Sequence, residues 1–268
     1  MRLDVLMFER QLTPSREKAR ALVMAGKVHV DGKPAQKAGM QVLESAGIQV
    51  MENPLPYVGR GGLKLKKAVD HFSLSLSGVT AADIGASTGG FTDCMLQHGA
   101  AHVYAIDVGY GQLDWRLRND PRVTVMERRN ARYMEPDWFL DKLQFAGIDV
   151  SFISLKLILP ALYPCLSDDA YVAMLIKPQF EAGKNQVQKH GVIKDPAVHR
   201  AVIKELCGFA QQVGFSVCGL TCSPITGPKG NIEFLCLLKK SGTYRTAQII
   251  MDEAIKNTVR EAHETLKM

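Results

Sequence analysis

A glycine-rich turn between a predicted strand and a predicted helix carries the clearest chemical signal in this sequence. Residues 83–93 read Asp-Ile-Gly-Ala-Ser-Thr-Gly-Gly-Phe-Thr-Asp and follow an apolar run. Glycines and small residues let a backbone approach a ligand closely, and the N–H groups at the start of the next helix are free to bind it. The next strand-like run, 103–107, ends in Asp107, whose carboxylate suits the ribose hydroxyls of a nucleoside. The turn therefore predicts a nucleoside-binding site.

The spacing of these glycines indicates which kind of nucleoside cofactor is expected. It differs from Gly-x-Gly-x-x-Gly, which disfavours NAD. The pattern Asp-x-Gly-x-x-x-Gly-Gly-Phe resembles the first motif of methyltransferases that use S-adenosylmethionine (SAM). An ordinary strand–helix turn is the alternative, and the acid that ends the next strand argues against it. The residues expected to bind SAM are Asp83, Gly85, Ser87, Gly89, Phe91, Asp107 and Asn130, with Gly85, Ser87 and Gly89 at the methionine part, Asp107 at the ribose and Asn130 at the adenine edge.

Four charged side chains interrupt or end apolar runs, where a charge is costly to bury. They are Lys64, Asp149, Lys177 and Glu233. A single such residue is typical of an edge strand, but two lysines and two acids can neutralise one another in one cluster. A ribose 2′-hydroxyl is a poor nucleophile at neutral pH, and Lys177 could accept its proton or stabilise the developing alkoxide. Asp149 and Glu233 would orient the lysines, so we predict that the four residues form one catalytic group.

The order of predicted elements indicates the fold that must position these residues. Strands predicted at 79–84, 102–107, 123–126, 148–153 and 171–177 alternate with helices at 90–97, 137–143, 155–166 and 196–213. Such alternation predicts an α/β fold with a mostly parallel sheet, whose ligands bind at the carboxyl ends of the strands. A strand pair at 215–222 and 232–238 follows, with the last strand antiparallel. A terminal helix is predicted at 243–267, and the sequence assigns it no role.

The first 51 residues form a separate, basic segment. Residues 1–70 contain 12 Lys or Arg against 7 Asp or Glu, whereas the remaining chain contains 21 against 20. Ser15 is placed to cap a helix over 16–25 that Gly26 ends, and Asp31-Gly32 is typical of a hairpin turn between strands. A further strand is predicted at 47–51. The segment is therefore a small αβ module with the charge expected of a partner for phosphates.

This module resembles the RNA-binding domain named after ribosomal protein S four. The matching residues are Ser15, Arg16, Ala19, Leu22, Val23, Gly26, Lys27, Val28, Val30, Asp31 and Gly32. The resemblance implies that Arg16, Arg20 and Lys27 face RNA phosphates, with Lys18 beside them and Arg60 at the start of the next domain. A solvated charged helix face is the alternative. Few aromatic residues accompany these charges, so recognition of RNA shape and backbone fits better than base stacking.

The four charged residues resemble the Lys-Asp-Lys-Glu tetrad of FtsJ-type RNA 2′-O-methyltransferases. Together with the N-terminal module, the match is to the TlyA (haemolysin A) family of ribosomal RNA methyltransferases. It is carried by residues 60–65, 83–93, 107–113, 149–155, 176–181 and 230–234. The resemblance implies a Rossmann-like SAM-dependent methyltransferase domain. The implied substrate is the ribose of a cytidine in ribosomal RNA, free or in ribosomal subunits.

The predicted domains are an RNA-binding domain at 1–51, a linker at 52–59, a methyltransferase domain at 60–240 and a helical extension at 241–268. Charges within the first ten residues argue against a signal peptide, and no apolar stretch approaches the ~20 residues that span a bilayer. The six cysteines lack Cys-x-x-Cys spacing and the seven histidines lack metal spacing, so no metal is expected. We therefore expect a cytoplasmic enzyme. The alternatives are an RNA-binding or ribosome-assembly factor without activity and, from the family's other name, a secreted cytolysin.

Overall fold

The computed structural model describes residues 1–24, 26–50, 56–183, 191–240 and 251–266. The chain divides into two compact units, Met1–Pro56 and Tyr57–Met268. Tyr57 and Val58, which the sequence assigns to the linker, belong to the second unit: Tyr57 is buried, and the Val58 N–H donates to Asp93 Oδ2 at 2.7 Å.

The first unit packs two helices against a small antiparallel sheet. Its elements are α1 (Leu3–Glu9), α2 (Arg16–Met24), β1 (Val28–Val30), β2 (Lys33–Pro34) and β3 (Ile48–Val50). The strand order is β2-β1-β3. The core is formed by one apolar side of each helix and by the sheet, and includes Leu3, Leu6, Met7, Ala19, Val23 and Val28.

The helix cap and the hairpin turn predicted for this unit are both present. The Ser15 hydroxyl accepts the Lys18 N–H at 3.1 Å and so caps α2. Asp31 and Gly32 have φ values of 49° and 77°, the left-handed pair that a two-residue hairpin turn requires. The predicted helix end at Ala25 and the predicted strand end at Met51 lie outside the described residues.

The second unit is built on a seven-stranded sheet. Its strands are β4 (Thr80–Ile84), β5 (His102–Asp107), β6 (Val123–Glu127), β7 (Leu143–Ile148), β8 (Leu166–Ile176), β9 (Phe215–Cys222) and β10 (Phe234–Lys240). The strand order is β6-β5-β4-β7-β8-β10-β9. β10, the last strand in sequence, runs antiparallel to both of its neighbours, and the pairs among β4 to β8 are parallel. This confirms the predicted α/β fold with an antiparallel last strand.

Helices cover both faces of this sheet. They are α3 (Gly61–His71), α4 (Gly90–Gln97), α5 (Trp115–Arg118), α6 (Leu155–Leu162), α7 (Pro178–Glu181), α8 (Pro196–Val213) and α9 (Met251–Thr265). Side chains of α3, α4 and α5 share one core with the sheet, and those of α6, α8 and α9 share the other. α9 packs on α8 and β9, so within the described residues the predicted helical extension is part of this unit. Of its predicted span, 243–250 and 267 lie outside the described residues.

Two of the predicted elements are wrong. Residues 137–143 are not a helix: 136–138 form a single 3-10 turn, Leu140 is 93% exposed, and its N–H donates to the Tyr104 hydroxyl at 3.1 Å. The strand predicted at 148–153 lies instead at 143–148, where Ile148 is in register with Ile84 of β4. Asp149 therefore follows the strand rather than interrupting it.

The helix predicted to Leu166 ends at Leu162, because Pro164 falls in a 3-10 turn at Tyr163–Cys165. No helix among the described residues is both long and apolar enough to cross a membrane. The part of the chain that the structure describes contains no group of three or more metal-ligating side chains, and its six cysteines are free thiols.

Candidate active site

A cavity of about 800 Å³ lies where the strand order of the large sheet reverses. β4 is the first strand of this sheet along the chain, and β5 and β7 flank it, so the loops after these three strands diverge and leave a crevice. The lining residues are Gly85 and Ser87 after β4, Ile106 and Asp107 at the end of β5 with Val108 after it, and residues 149–154 after β7, with Gln112, residues 129–132, Leu157 and Ile158 completing the wall.

The backbone of the turn after β4 packs directly against the backbone at the ends of β5 and β7. Gly85 N–H and Ala86 N–H both donate to the Ile106 carbonyl, at 2.9 and 3.0 Å. Gly85 has a φ of 89°, and a side-chain carbon there would lie 2.4 Å from the Asp149 carbonyl oxygen. Because any side chain would both strain the backbone and collide with the loop after β7, only glycine fits. The turn thereby fixes the position of Asp149.

Asp107 organises one wall of this cavity. Its carboxylate accepts the Ser87 N–H at 2.8 Å and the Gly109 N–H at 2.6 Å, and it still lines the cavity. Each carboxylate oxygen has a second lone pair that can accept a further donor. Asn130 also lines the cavity, and its Oδ1 accepts the Arg132 N–H at 3.2 Å. An acid and an amide beside a glycine turn fit a nucleoside with free ribose hydroxyls.

The other predicted cofactor residues lie outside the set that lines this cavity. Asp83 is fully buried and accepts both the N–H and the hydroxyl of Thr92, at 2.8 and 2.7 Å. Burial raises the pKa of Asp83 to about 7. Phe91 is buried in the core, and Gly89, with a φ of 95°, lies against Leu113 and Leu117. These three residues hold the turn and the start of α4 in place from beneath.

The four predicted catalytic residues meet in one chain of alternating charge. Lys177 Nζ lies 2.5 Å from Asp149 Oδ1, Lys64 Nζ lies 3.6 Å from Asp149 Oδ2, and Lys64 Nζ donates to Glu233 Oε2 at 2.7 Å. Glu233 is fully buried, and each lysine is 7% exposed. Two cations and two anions compensate one another, which is what permits their burial. We call Lys64, Asp149, Lys177 and Glu233 the tetrad.

The sheet topology explains why residues so far apart in sequence meet. Asp149 and Lys177 directly follow β7 and β8, and Glu233 directly precedes β10. Because β10 is antiparallel, its start lies at the same edge of the sheet as the ends of β7 and β8. α3 carries Lys64 and packs closely on the start of α4, where glycines allow the two backbones to meet: a side-chain carbon on Gly90 would lie 2.7 Å from the Gly62 nitrogen.

Comparison with known proteins identifies the family to which this chain belongs. The FtsJ-like methyltransferase family matches residues 57–240, and the S4 domain family matches residues 1–48. The chain belongs to the FtsJ-like methyltransferase family. It is 49% identical over 267 residues to "Putative rRNA methyltransferase YqxC" of Bacillus subtilis, covering 99% of this chain and 95% of that protein. It is 41% identical over 261 residues to "16S/23S rRNA (cytidine-2'-O)-methyltransferase TlyA" of Mycobacterium tuberculosis, covering 97% of each.

One solved structure is similar to this chain over its whole length. "Putative hemolysin from Streptococcus thermophilus" is 46% identical, covers 100% of this chain and 97% of its own, and superposes with a TM-score of 0.79. The predicted family is thus confirmed, including its two domain types. The tetrad of this FtsJ-like methyltransferase stands beside a cavity whose position, in such sheets, is that of the ligand.

A second, smaller cavity adjoins the tetrad of the methyltransferase. It measures about 230 Å³ and shares Ser151 and Phe152 with the larger cavity. Its other lining residues are Lys177, Gln179, Phe180, Gly191, Lys229, Asn231 and Glu233. Lys177 and Glu233 therefore face this space, while Asp149 lines the larger cavity. The tetrad lies between two cavities, as a reaction between two bound molecules requires.

Sequence reasoning missed Ser151 and Phe152. Lys177 Nζ donates to Ser151 Oγ at 2.9 Å, so the lysine is held by two partners. Phe152 has a φ of 63°, is 90% exposed, and its ring centroid lies 4.8 Å from that of Phe180. An aromatic residue in the left-handed region is uncommon, and such strain clusters at functional sites. The apolar run 150–153 hid this loop because it suggested a strand.

The wall of the smaller cavity is tied to α8 and α9 by side chains. Asn231 Oδ1 accepts the Ile193 N–H at 3.0 Å, and its Nδ2 donates to the Gly191 carbonyl at 3.0 Å. The Ile193 carbonyl lies 3.2 Å from His199 Nε2, and His199 Nδ1 lies 3.0 Å from His263 Nε2. α9 thus anchors the wall through the two imidazoles.

We expect acid to loosen this anchor. Burial lowers the pKa of His199 to about 4, below the ~6.5 of an unfolded histidine, so the folded protein favours the neutral ring. Its contribution to stability is complete above pH 6.5 and is lost as pH falls toward 4, about 3 kcal/mol in all. An NMR titration of His199 should give a midpoint near 4, and His199→Gln should flatten the decline in unfolding free energy. A midpoint near 6.5 would contradict this.

The predicted RNA-binding residues of the first unit have unequal roles. Asp4 is fully buried and is bound by Arg2 at 2.9 Å, by Arg20 at 2.8 Å and by Arg16 at 3.7 Å. The hydrogen bond from Arg2, with those of its neighbours, holds the pKa of Asp4 well below its usual range. Arg16 and Arg20 are exposed at their outer ends but also support Asp4.

The remaining RNA-binding candidates are more simply placed. Lys18 is exposed on α2, and Lys27 is half-buried just before β1. Arg60 belongs to the second unit, where its Nη2 donates to the Thr226 carbonyl at 3.0 Å. Lys18 is therefore the residue at which charge can be changed with least effect on the fold.

Proposed function

We propose that this protein transfers a methyl group from SAM to the ribose 2′-hydroxyl of a cytidine in ribosomal RNA. The observation that carries the proposal is the tetrad, a chain of two lysines and two carboxylates set between a nucleoside-sized cavity and a second cavity. The names of the relatives supply the substrate class. A substrate of this kind would place the enzyme in the cytoplasm.

The residues of the larger cavity fit the cofactor. Asp107 would accept the ribose hydroxyls, Asn130 would meet the adenine edge, and Gly85 and Ser87 would lie along the methionine part. When bound, SAM supplies an electrophilic methyl group on a sulfonium. Asp149, which lines the same cavity, provides negative charge that suits this cation.

Lys177 would be the residue that acts on the hydroxyl. Its Nζ faces the smaller cavity and is oriented by Asp149 and Ser151. Held there, it would accept the 2′-hydroxyl proton or stabilise the alkoxide as it develops. Lys64, between Asp149 and Glu233, fixes the position of both carboxylates. The contribution of the protein is mainly one of positioning, because both reactants are held in place before the reaction.

Phe152 is proposed to stack on the target base. A base whose ribose reaches Lys177 has to leave its helical stack, and exposed aromatic rings receive such bases. Phe152→Ala should weaken RNA binding by about 1–3 kcal/mol, as stacked bases do, and leave SAM affinity unchanged. Leu140→Ala, at a residue that is 93% exposed and lines neither cavity, is the matched control. Equal RNA affinity of the Phe152 variant and the wild type would exclude the stacking role.

The first unit is proposed to dock on RNA through phosphate contacts. Lys18→Glu should weaken binding and reduce the slope of log affinity against log salt by about one unit per lost contact. SAM affinity should not change. The control is Lys142→Glu, an exposed lysine before β7 and so at the edge of the sheet opposite the tetrad. Identical salt slopes for the Lys18 variant and the wild type would show that this face of α2 does not bind RNA.

Nucleoside analysis tests the proposed function. Ribosomal subunits that lack the modification are incubated with the protein and SAM, and the RNA is digested and analysed by mass spectrometry. We expect 2′-O-methylcytidine to appear only when both are present. SAM binding without transfer would favour the RNA-binding or assembly factor, and lysis of erythrocytes without transfer would favour the cytolysin.

A further inference from the structure

One cation on the wall of the smaller cavity has no counter-charge. The charged residues that line this cavity are Lys177, Glu233 and Lys229. The first two are neutralised within the tetrad. Lys229 is exposed, and its side chain has no ion pair or hydrogen bond with any other residue that the structure describes. The wall of the cavity therefore has an uncompensated positive charge, which suits an anionic group of a substrate.

The backbone of Lys229 adopts a conformation that favours glycine. Its φ is 64° and its ψ is 10°, in the left-handed region, and the next residue, Gly230, has a φ of 86°. Glycine adopts such angles without steric cost, whereas a side chain makes them unfavourable. Such strain clusters at functional sites. A lysine where glycine would fit better indicates that its side chain has a use there.

The turn that carries Lys229 is fixed to the tetrad. Gly227, two residues earlier, packs against the Glu233 carboxylate, and a side chain at this position would collide with Oε1. The carbonyl of Thr226 accepts a hydrogen bond from Arg60 Nη2 at 3.0 Å, which joins the turn to the residue that precedes α3. The backbone of Lys229 is therefore held in place relative to the catalytic charges, as positioning of a substrate requires.

The phosphate on the 3′ side of the target ribose is the anion that RNA would bring nearest to the 2′-hydroxyl. The two groups are attached to adjacent carbons of one sugar ring. Lys229 lines the same cavity as Lys177 and is exposed, so it lies at the opening, where the RNA backbone would continue to the next nucleotide. Lysine binds phosphate as a point charge on a flexible stem. The charge and the position of Lys229 therefore fit this phosphate.

We propose that Lys229 binds the phosphate that links the target nucleotide to the next one along the RNA, and so positions the 2′-hydroxyl at Lys177. This inference rests on the proposed function. The contact acts on a single nucleotide at the site of reaction. It is separate from the docking contacts proposed for the first unit.

The test uses RNAs that differ by one charge. All contain 2′-deoxycytidine at the target position, so none is methylated. The linkage after it is a phosphodiester or an uncharged methylphosphonate, and a third RNA has the uncharged linkage before it. We expect the uncharged linkage after the cytidine to weaken binding to the wild type about tenfold, as loss of one charge-assisted hydrogen bond does. Binding to Lys229→Gly should not respond to it, and Lys229→Arg should behave as the wild type does.

Two further measurements separate this role from an effect on the fold. Glycine suits the left-handed backbone, so the melting temperature of Lys229→Gly should not fall. On unmodified RNA this variant should raise KM about tenfold, with SAM affinity unchanged, because Lys229 lies outside the larger cavity. Lys142→Ala is the control, at an exposed lysine on the opposite edge of the sheet, and should match the wild type.

The outcomes distinguish this inference from the proposed function. An equal loss of affinity from the uncharged linkage in the wild type and in Lys229→Gly would overturn the role of Lys229 and leave 2′-O-methylation standing. Dependence of Lys229 on the linkage before the cytidine would overturn the assignment to the 3′ phosphate in the same way. Absence of ribose methylation by the wild type on unmodified RNA would instead overturn the proposed function.

Discussion

Lys177→Met is expected to lower the rate of methyl transfer by about 10²–10⁴-fold, the range for a lost general base, with SAM affinity unchanged. Methionine has nearly the length of lysine and no charge, so the apolar surroundings remain filled. Asp149 would keep Lys64 as its partner at 3.6 Å. Single-turnover methylation of RNA gives the rate, and calorimetry gives the SAM affinity.

Lys177→Arg separates the two roles that remain open for this lysine. Arginine keeps the positive charge but stays protonated in proteins, so it can stabilise an alkoxide and cannot accept a proton. Substantial activity in this variant would favour alkoxide stabilisation, and loss equal to that of Lys177→Met would favour the base. Lys156→Met is the control, because Lys156 pairs with Glu205 on α8 and lies outside both cavities. Wild-type turnover in Lys177→Met would remove the lysine from the chemistry.

Asp107→Ala is expected to weaken SAM binding by roughly 3 kcal/mol, about 100-fold, because two charge-assisted hydrogen bonds to ribose hydroxyls are lost. The effect includes the turn itself, since Asp107 also accepts the N–H groups of Ser87 and Gly109. Asp107→Asn keeps one acceptor oxygen and should fall between the alanine variant and the wild type.

The control for Asp107 is Glu135→Ala, which removes an exposed carboxylate that lies outside the cavity. Its SAM affinity should equal that of the wild type. Calorimetry on both variants decides the point: if Asp107→Ala binds SAM as tightly as Glu135→Ala does, the cofactor ribose is not held at the end of β5.

The tetrad could be predicted from the sequence because buried charge is costly. Lys177 after an apolar strand and Glu233 before another have no reason to be there unless they are paired, and the structure pairs both. Asp107 could be predicted from its position, because it is an acid at the carboxyl end of a strand in an alternating α/β pattern. The family resemblance added the prediction that these charged residues form one Lys-Asp-Lys-Glu tetrad.

The errors arose where local pattern does not determine the structure. Residues 145–153 are mostly apolar across both β7 and the loop after it, and only register with β4 decides that the strand ends at Ile148. The exposed Phe152 was hidden by the same run. The motif also contains Asp83 and Phe91, and strand alternation and helix packing put both side chains beneath the turn. A sequence motif alone does not separate residues that touch a ligand from those that support them.

Alkaline hydrolysis of the RNA product tests the central claim most directly. Cleavage of an RNA bond by alkali requires the free 2′-hydroxyl, so a 2′-O-methyl group protects the bond that follows it. Ribosomal RNA treated with the wild-type protein and SAM should show a protected bond after a cytidine, and RNA treated with Lys177→Met should not. Incorporation of a methyl group with every bond still cleaved would mean that a base, not a ribose, is modified, and would contradict the mechanism built on the tetrad.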